Sequence, residues 1–246
     1  MKDKSIIALA GNPNSGKTTI FNALTGARQK VGNWPGVTVE RKEGKGDLKD
    51  QKVTIVDLPG IYGLTASSID ERIARDFLVK ERPFLVAVVL DSTNLNRHLY
   101  LPLQLMELGV SRLVLILNMM DEAKAKGLEI DPEGLSRALG VPMVTTIAHK
   151  GIGIEELKGT LAEELKEDRL PKAPALYSPS MEEGIRELAG LLEKEGLLHP
   201  YPPRWVAIKL LEGDQEYLTM AQQNPNGQKL LSLITVVKDR LEKEIG

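Results

Sequence analysis

The sequence predicts an α/β fold with a mostly parallel, doubly wound sheet, followed by a small all-helical region. Up to about residue 168, short apolar runs alternate with segments of helical periodicity, and this alternation is typical of doubly wound sheets. From residue 169 onwards only helical periodicity remains. We therefore predict two domains, residues 1–168 and 169–246.

Several segments have the apolar content of strands. Phe84–Leu90 and Leu113–Asn118 are apolar at nearly every position, which favours strands that are covered on both faces. Val37–Glu43 alternates apolar and polar residues and leads through Gly44–Asp47 towards Val53–Asp57, so we expect an edge strand in a hairpin. The remaining strand candidates are Ser5–Ala10 and Pro142–Thr146.

Helical spacing marks the segments between the strands and most of the C-terminal part. The proline-containing stretch Leu170–Ala175 is interpreted as a linker between the two parts. The helices predicted before it are Lys17–Thr25, Ser68–Lys80, Arg97–Leu108, Pro132–Leu139 and Ile154–Lys166. Those predicted after it are Met181–Glu195, Arg204–Leu211 and Gly227–Ile245.

Composition excludes several classes of protein. The chain of 246 residues is 42% hydrophobic and has a formal net charge of −2, so nothing indicates a nucleic-acid partner. The absence of cysteine excludes disulfide scaffolds and cysteine-ligated zinc, and it fits a reducing, cytoplasmic setting. No apolar run approaches the ~20 residues of a membrane-spanning helix, so this chain is expected to be soluble, on its own or as part of a longer membrane protein.

The segment Gly11–Thr18 has the GxxxxGK[ST] spacing between a predicted strand and a predicted helix. In this context the backbone N–H groups of the loop cradle phosphate oxygens, and the helix N-terminus adds its positive dipole end. Lys17 can reach the β- and γ-phosphates, and the Thr18 hydroxyl can bind Mg²⁺. The predicted nucleotide contacts in this loop are Gly11, Asn12, Asn14, Ser15, Gly16, Lys17, Thr18 and Thr19.

Two further segments are expected to sense the γ-phosphate. Asp57 ends a predicted strand and is placed to hold Mg²⁺, while the N–H of Gly60 can meet the γ-phosphate. Thr38 can bind Mg²⁺ when a γ-phosphate is present, although it could also be an ordinary β-branched strand residue. The loop around Thr38 and the segment Gly60–Ser67 are therefore predicted to be the first and second switches.

The motif Asn118–Asp121 follows a predicted buried strand and indicates a guanine site. The Asp121 carboxylate can accept hydrogen bonds from N1 and the 2-amino group of guanine, and adenine lacks that pair of donors. The N–H of Ala148 can reach guanine O6, and Met119 is expected to pack around the base. GTP and GDP are therefore the predicted ligands.

These motifs together resemble the translation-factor-related GTPases, whose fold is a P-loop NTPase fold with a Ras-like G domain. The fuller pattern resembles the cytoplasmic N-terminal region of the FeoB family of bacterial ferrous-iron transporters. The matching strings are Gly11–Asn22, Leu24–Gly26, Val31–Glu40, Asp57–Leu64 and Ile208–Asp214. They lie in both parts of the chain, so the resemblance covers essentially all of it.

The resemblance implies a slow GTPase that K⁺ stimulates. In that family K⁺ is coordinated by Asn14 and by backbone carbonyls of the first switch, here Gly32 and Trp34, and such a cation neutralises developing charge. Ile61 stands where Ras-like proteins have a catalytic glutamine, and isoleucine cannot orient water. The residues expected to support hydrolysis are Asn14, Lys17, Thr38 and Gly60.

The resemblance also implies a biological setting. The chain would be a GTP switch that regulates ferrous iron uptake on the cytoplasmic side of a bacterial inner membrane. Its helical tail would modulate GDP affinity, and its partner would be the membrane-embedded region of the same protein. Small Feo accessory proteins and a second copy of the chain remain candidate partners. The alternatives are a stand-alone translation-factor-related GTPase and a GDP/GTP-binding signalling module with negligible hydrolysis.

Three positions qualify this interpretation. Ile147 occupies a place where a serine usually braces the guanine loop, so we predict faster GDP release or weaker affinity. Trp34 is either an anchor that faces a partner or a packing residue, and the sequence does not distinguish the two. The three histidines, His98, His149 and His199, form no cluster and are expected at the surface.

Overall fold

The computed structural model describes residues 6–26, 29–49, 51–65, 68–166 and 177–245. The chain divides into two compact units. The first comprises Met1–Met106 and Val110–Lys172, and the second comprises Glu107–Gly109 and Ala173–Gly246. The predicted linker Leu170–Ala175 and the predicted boundary after residue 168 lie outside the described residues.

The described part of the first unit contains a mixed, mostly parallel sheet, which confirms the predicted fold class. Seven strands lie in the order β2-β3-β4-β1-β5-β6-β7. The two ladders that join β2 to β3 and β3 to β4 are antiparallel, and the others are parallel. The strands are β1 Ile6–Gly11, β2 Gln29–Asn33, β3 Glu40–Leu48, β4 Gln51–Asp57, β5 Leu85–Asp91, β6 Leu113–Asn118 and β7 Met143–Thr145.

The antiparallel edge of the sheet differs from the prediction in one respect. The predicted hairpin exists, because β3 pairs with β4 from Lys42 opposite Asp57 to Leu48 opposite Gln51. However, the prediction that this strand forms the edge is wrong, since β2 pairs outside it. Strand β2 is largely exposed and its sequence therefore lacks the apolar alternation that would reveal it. The predicted start at Val37 is also wrong, because β3 begins at Glu40.

Helices cover the sheet and close the first unit. The predicted single helix at 97–108 is divided into two, and Pro102 explains the break because it has no N–H to donate to the preceding turn. Helix α5 lies directly after β6 and is too short to show a clear period. The helices are α1 Lys17–Thr25, α2 Ile69–Lys80, α3 Leu95–His98, α4 Tyr100–Glu107, α5 Met120–Ala125, α6 Pro132–Leu139 and α7 Ile154–Lys166.

The core of this unit is built on its central parallel strands. Ile7–Ala10 of β1 and Val86–Leu90 of β5 are completely buried, and β6 is buried along its whole length. Strands with no exposed face produce the continuous apolar runs seen in the sequence. Because parallel strands end at the same edge of a sheet, Gly11, Asp57 and Asn118 all lie at the carboxyl edge, where ligands bind in open α/β sheets.

The described part of the second unit is all helical, as the sequence predicts. Helix α10 was not predicted, because only Tyr217 and Ala221 of its residues are buried. Trp205 is completely buried, and its indole N–H donates to the Tyr217 hydroxyl at 2.8 Å. None of the helices in the described ranges is long and apolar enough to cross a membrane. The helices are α8 Pro179–Glu195, α9 Pro203–Glu212, α10 Gln215–Gln223 and α11 Gly227–Ile245.

Candidate functional site

A pocket of about 570 Å³ opens at the carboxyl edge of the sheet. It brings together the glycine-rich loop after β1, the loop after β4 and the residue that follows β6. Asp70, in the first turn of α2, is a lining residue that no motif in the sequence indicates. The lining residues are Asn12, Pro13, Asn14, Gly16, Lys17, Thr18, Gly60, Asp70 and Met119.

The glycine-rich loop has a backbone that few residue types allow. Asn14 has φ 64° and Gly16 has φ 85°, both in the left-handed region. A Cβ atom on Gly16 would lie 2.2 Å from the Asn118 side-chain nitrogen, so no other residue fits there. The Asn118 side chain can consequently donate to the Ser15 carbonyl at 3.0 Å and tie β6 to this loop.

Several polar atoms of the loop are buried without a protein partner. Both side-chain polar atoms of Asn12 and the Ser15 hydroxyl have no hydrogen bond within the described residues, although Asn12 and Ser15 are almost completely buried. Buried polar atoms are nearly always paired in folded proteins, so exceptions at a pocket point to a role in binding. Such atoms fit a polar ligand seated in this loop.

Lys17 and Asp57 form an ion pair at the pocket. The Lys17 ammonium also donates to the Leu58 carbonyl at 2.6 Å. Burial raises the pKa of the Asp57 carboxyl, and the nearby Lys17 charge opposes that rise. The carboxylate is therefore held in a site where desolvation is costly and where a cation stabilises its charged form.

The far end of the site is organised by Asn118, which is 3% exposed. Its side-chain oxygen accepts from the Thr146 hydroxyl at 3.0 Å and from the Ala148 N–H at 3.0 Å. In this structure the Ala148 N–H is thus already engaged by Asn118. The loop that carries Ala148 is further closed by a two-way backbone bridge between Ile147 and Ile152.

Asp121 lies in α5 with one carboxylate oxygen paired and the other unpaired. Lys150 donates to Oδ2 at 2.7 Å, and this hydrogen bond lowers the pKa of the Asp121 carboxyl. The second oxygen, Oδ1, is buried and accepts no hydrogen bond from the part of the chain that the structure describes. An ionised carboxylate with an unpaired oxygen is ready to accept hydrogen bonds from a ligand.

The predicted first switch lies outside the pocket lining. Thr38 is exposed in the loop between β2 and β3, and Gly32 is in β2 opposite Arg41. The Trp34 carbonyl accepts from the Val37 N–H at 3.2 Å. The Trp34 side chain is 5% exposed and contacts the Phe77 ring, so in this structure it is a packing residue.

The predicted second switch is anchored at both ends of its described part. Ile61 is 2% exposed, and its N–H donates to the Gly11 carbonyl at 3.2 Å. The Leu64 N–H donates to the Gln104 side-chain oxygen at 2.6 Å. Gln104 gave no signal in the sequence because a single glutamine in a mostly apolar helix fits no motif. Ala66 and Ser67, the end of this predicted switch, lie outside the described residues.

One histidine prediction is wrong. His98 is 5% exposed, and its Nδ1 accepts from the Asp91 N–H at 3.0 Å. Burial lowers the pKa of His98, which keeps the ring neutral as this acceptor. Within the residues described, no group of three or more His, Cys, Asp or Glu side chains could hold a metal ion.

Comparison with known families identifies both parts of the chain. The family model for ferrous iron transport protein B matches residues 5–161, and the model for the FeoB cytosolic helical domain matches residues 177–246. The Fe(2+) transporter FeoB of Salmonella typhi is 42% identical over 243 residues, which cover 97% of this chain and 31% of that protein. The transporter of Methanocaldococcus jannaschii is 45% identical over 240 residues, with 98% and 35% covered. The chain thus spans about a third of these relatives.

Solved structures give the same result. A GDP-bound point mutant of S. thermophilus NFeoB has a TM-score of 0.84 and 36% identity, with 97% of this chain and 90% of that chain covered. The cytosolic domain of T. maritima FeoB in its GMPPNP form has a TM-score of 0.80 and 38% identity, with 98% and 96% covered. Together with the two family matches, these similarities establish that the chain belongs to the FeoB family of ferrous iron transport proteins.

Proposed function

We propose that this chain binds GTP and GDP in the pocket at the carboxyl edge of the sheet and hydrolyses GTP. The observation that carries the proposal is the glycine-rich loop, in which the buried polar atoms of Asn12 and Ser15 have no partner among the described residues. The Asn118 side chain connects this loop to the motif Asn118–Asp121, which is proposed to bind the base. Phosphates supply the acceptors that such a loop is built to bind. The GDP and GMPPNP forms of the related structures support the choice of nucleotide.

Each part of the pocket has a role in this proposal. The backbone N–H groups of the loop from Gly11 to Thr19, apart from Pro13, which has none, bind the phosphates, and the Lys17 ammonium moves from Asp57 to the β- and γ-phosphates. Asp57 and the hydroxyls of Thr18 and Thr38 would hold Mg²⁺, whose charge would neutralise the phosphates. The buried Asp57 carboxylate fits this role, since burial raises its pKa and a cation relieves that cost. The Gly60 N–H would donate to the γ-phosphate.

The base is bound at the other end of the pocket. Asp121 accepts from N1 and the 2-amino group of guanine through its unpaired oxygen, while Met119, a lining residue, packs on the ring. Asn118 holds the loop that carries Ala148, whose N–H turns from Asn118 towards guanine O6. ATP is rejected because adenine would leave the buried carboxylate oxygen without donors.

We further propose that hydrolysis is slow and that K⁺ stimulates it. Ile61 is buried and has no polar group to orient water. Of the proposed K⁺ ligands, only Asn14 lines the pocket, and the Trp34 carbonyl is engaged by Val37. The present arrangement of the first switch therefore does not fit K⁺, and the ion would require this segment to move.

The iron-related part of the proposal rests on the family. The chain would be the cytoplasmic switch of a bacterial inner-membrane Fe²⁺ transporter, and the rest of that protein would supply the membrane-embedded partner. The helical part at 169–246 would modulate GDP affinity and relay the nucleotide state. Small Feo accessory proteins and a second copy of the chain are further proposed partners. The two matched domains favour this assignment over a stand-alone translation-factor-related GTPase.

Base selection is the sharpest test of the site. Asp121→Asn replaces a carboxylate, which only accepts hydrogen bonds, by an amide. The NH2 group of this amide can donate to the C2 oxygen of xanthine. We expect GDP affinity to fall by about ten-fold or more and XDP affinity to rise. Isothermal titration calorimetry with Mg²⁺ measures both. Glu122→Gln, an exposed neighbour in the same helix, is the control and should change neither. Unchanged base preference in Asp121→Asn would refute the guanine site.

Hydrolysis is tested separately. Single-turnover phosphate release from GTP should be faster in K⁺ than in Na⁺ at equal ionic strength. Equal rates in the two salts would contradict the K⁺ proposal. No release above the uncatalysed rate would favour the alternative of a binding module that signals without hydrolysis.

A further inference from the structure

The first switch is attached to α2 by an aromatic cluster, which we define as Trp34, Phe77 and Arg41. The Trp34 and Phe77 rings meet edge to face, with centroids 5.4 Å apart and planes at 77°. The Arg41 guanidinium lies 4.7 Å from the centre of the Trp34 ring and 5.8 Å from that of Phe77. Glu43 accepts from Arg41 Nε at 2.8 Å and fixes the guanidinium in place. Both rings are 5% exposed.

Backbone hydrogen bonds connect Trp34 to both neighbours of Thr38. The Trp34 N–H donates to the Val39 carbonyl at 2.9 Å, and the Val37 N–H donates back to the Trp34 carbonyl at 3.2 Å. Thr38 lies inside the short loop that the hydrogen bond between Trp34 and Val39 closes. While the indole is packed on Phe77, Thr38 stays exposed and outside the lining of the nucleotide pocket.

The cluster joins the first switch to the helix that follows the predicted second switch. Phe77 belongs to α2, which begins at Ile69, directly after the predicted second switch. Trp34 and Arg41 lie on either side of Thr38, in and after the first switch. A movement of the first switch therefore changes the packing against α2 through three side chains that contact each other.

Two observations indicate that this packing is able to open. The indole N–H of Trp34 is buried and has no hydrogen-bond acceptor among the described residues, which makes the closed arrangement less favourable than ordinary core packing. A groove of about 470 Å³ lies beside the rings, so the side chains have space in which to repack. It is lined by the first switch region and by α2, including Val37 and Pro35 on one side and Ile69 and Ile73 on the other.

We propose that the aromatic cluster is a positioning element that holds Thr38 away from the nucleotide and that GTP with Mg²⁺ binds in competition with it. The proposal rests on the proposed function, because it concerns how that site distinguishes GTP from GDP. GDP has no γ-phosphate, needs no contact with Thr38 and leaves the cluster closed. GTP recruits Thr38, and part of its binding free energy is used to open the cluster.

The first experiment weakens the cluster and measures the ratio of two affinities. Phe77→Leu keeps an apolar side chain in α2 but removes the ring contact with Trp34. We expect its affinity for GMPPNP with Mg²⁺, relative to GDP, to rise about five-fold or more. Phe84→Leu is the matched control, because Phe84 is also buried, at 4% exposed, and lies 4.2 Å from an arginine guanidinium. Its ratio should not change, although both variants should lose a similar amount of thermal stability.

A second pair of variants keeps the test valid if Phe77→Leu does not fold. Arg41→Lys keeps the charge and loses the planar stack on Trp34, and it should raise the same ratio. Arg112→Lys makes the equivalent change over Phe84 and should leave the ratio unaltered. The proposal would be overturned if the ratio of GMPPNP to GDP affinity stayed unchanged or fell in the cluster variants. It would also be overturned if this ratio rose equally in the Phe84→Leu and Arg112→Lys controls.

The second experiment observes Trp34 directly. The chain has two tryptophans, so Trp34 is the sole tryptophan in a Trp205→Phe background. Acrylamide quenching of Trp34 fluorescence should increase with GMPPNP and Mg²⁺ but not with GDP. Equal shielding with both nucleotides, while GDP still binds, would overturn the cluster proposal alone. Failure of the unaltered chain to bind any guanine nucleotide would instead overturn the proposed function and, with it, this inference.

Discussion

We call Asn118 and the two segments that it joins, at Ser15 and at Thr146 and Ala148, the floor of the nucleotide pocket. This floor and the first switch are organised in opposite ways. On the floor, the Asn118 side chain joins these segments through hydrogen bonds to Ser15, Thr146 and Ala148, each 3.0 Å long. The first switch has no such connection to the pocket: Thr38 is exposed, and Trp34 is packed against α2. One region is already connected by hydrogen bonds in this structure, whereas the other is held in an arrangement that does not use its proposed ligands.

The difference separates two tasks that a nucleotide switch must perform. Binding of the base and of the first phosphates benefits from a site that needs little ordering, because ordering costs affinity. Sensing the γ-phosphate requires a segment that changes position, since a group that binds both states equally cannot report on either. We therefore expect changes in the floor to affect GDP and GTP alike, and changes in the first switch to affect GTP alone.

The largest effect should come from Asn118→Ala. This change leaves the Ser15 carbonyl and the Ala148 N–H without their partner in a buried site, which costs about 1–3 kcal/mol for each unpaired group. We expect a lower melting temperature and a loss of affinity for GDP and GMPPNP by about 100-fold. Calorimetry and thermal melts measure both. Asn96→Ala, at an exposed position in α3, is the control. Selective loss of GMPPNP binding would contradict the comparison.

A smaller and more selective effect is expected from Thr38→Ala. Removing the hydroxyl removes one proposed Mg²⁺ ligand of the GTP form, so GMPPNP affinity and single-turnover hydrolysis should each fall by about ten-fold. GDP affinity and the melting temperature should stay unchanged, because Thr38 is exposed. Thr38→Ser restores the hydroxyl and should recover most of the activity. A matching loss of GDP affinity would show that the first switch belongs to the floor.

The smallest effect is expected from Ile147→Ser in the guanine loop. The Ile147–Ile152 backbone bridge already closes this loop, so a serine hydroxyl adds one further brace. We expect GDP release to slow by about three-fold, which one weak hydrogen bond can supply. Stopped-flow measurement with a fluorescent GDP analogue gives the rate. Ile152→Ser changes the other residue of the same bridge and should not slow release. An unchanged rate in Ile147→Ser would refute the predicted role of Ile147.

Local patterns indicated residues that the structure brings together at one pocket, but not the hydrogen bonds between them. The spacing around Gly16 and Asn118 indicated a loop for phosphate and a motif for guanine. The hydrogen bond between Asn118 and Ser15 joins residues 103 positions apart, and no local pattern encodes such a pair. Gln104, which fixes Leu64 of the second switch, was missed for the same reason. Its role depends on a neighbour that only folding brings close.

The prediction was weakest for residues whose place in the fold leaves no periodic apolar pattern in the sequence. Strand β2 is largely exposed, so its residues show no apolar alternation and the edge of the sheet was assigned to the wrong strand. His98 appeared to be a surface residue because a single histidine carries no periodic signal. It is instead buried as an acceptor for the Asp91 N–H.

By itself the sequence determined the α/β fold class, the helical C-terminal part and the motifs on which the proposed guanine site depends. These follow from short-range rules, namely the period of apolar residues and the backbone freedom of glycine at fixed spacings. Only the tertiary structure decided that Trp34 packs on Phe77 and that Thr38 is kept outside the pocket. Those facts depend on contacts between segments far apart in the chain, and the energies of such contacts are set by burial and geometry rather than by residue order.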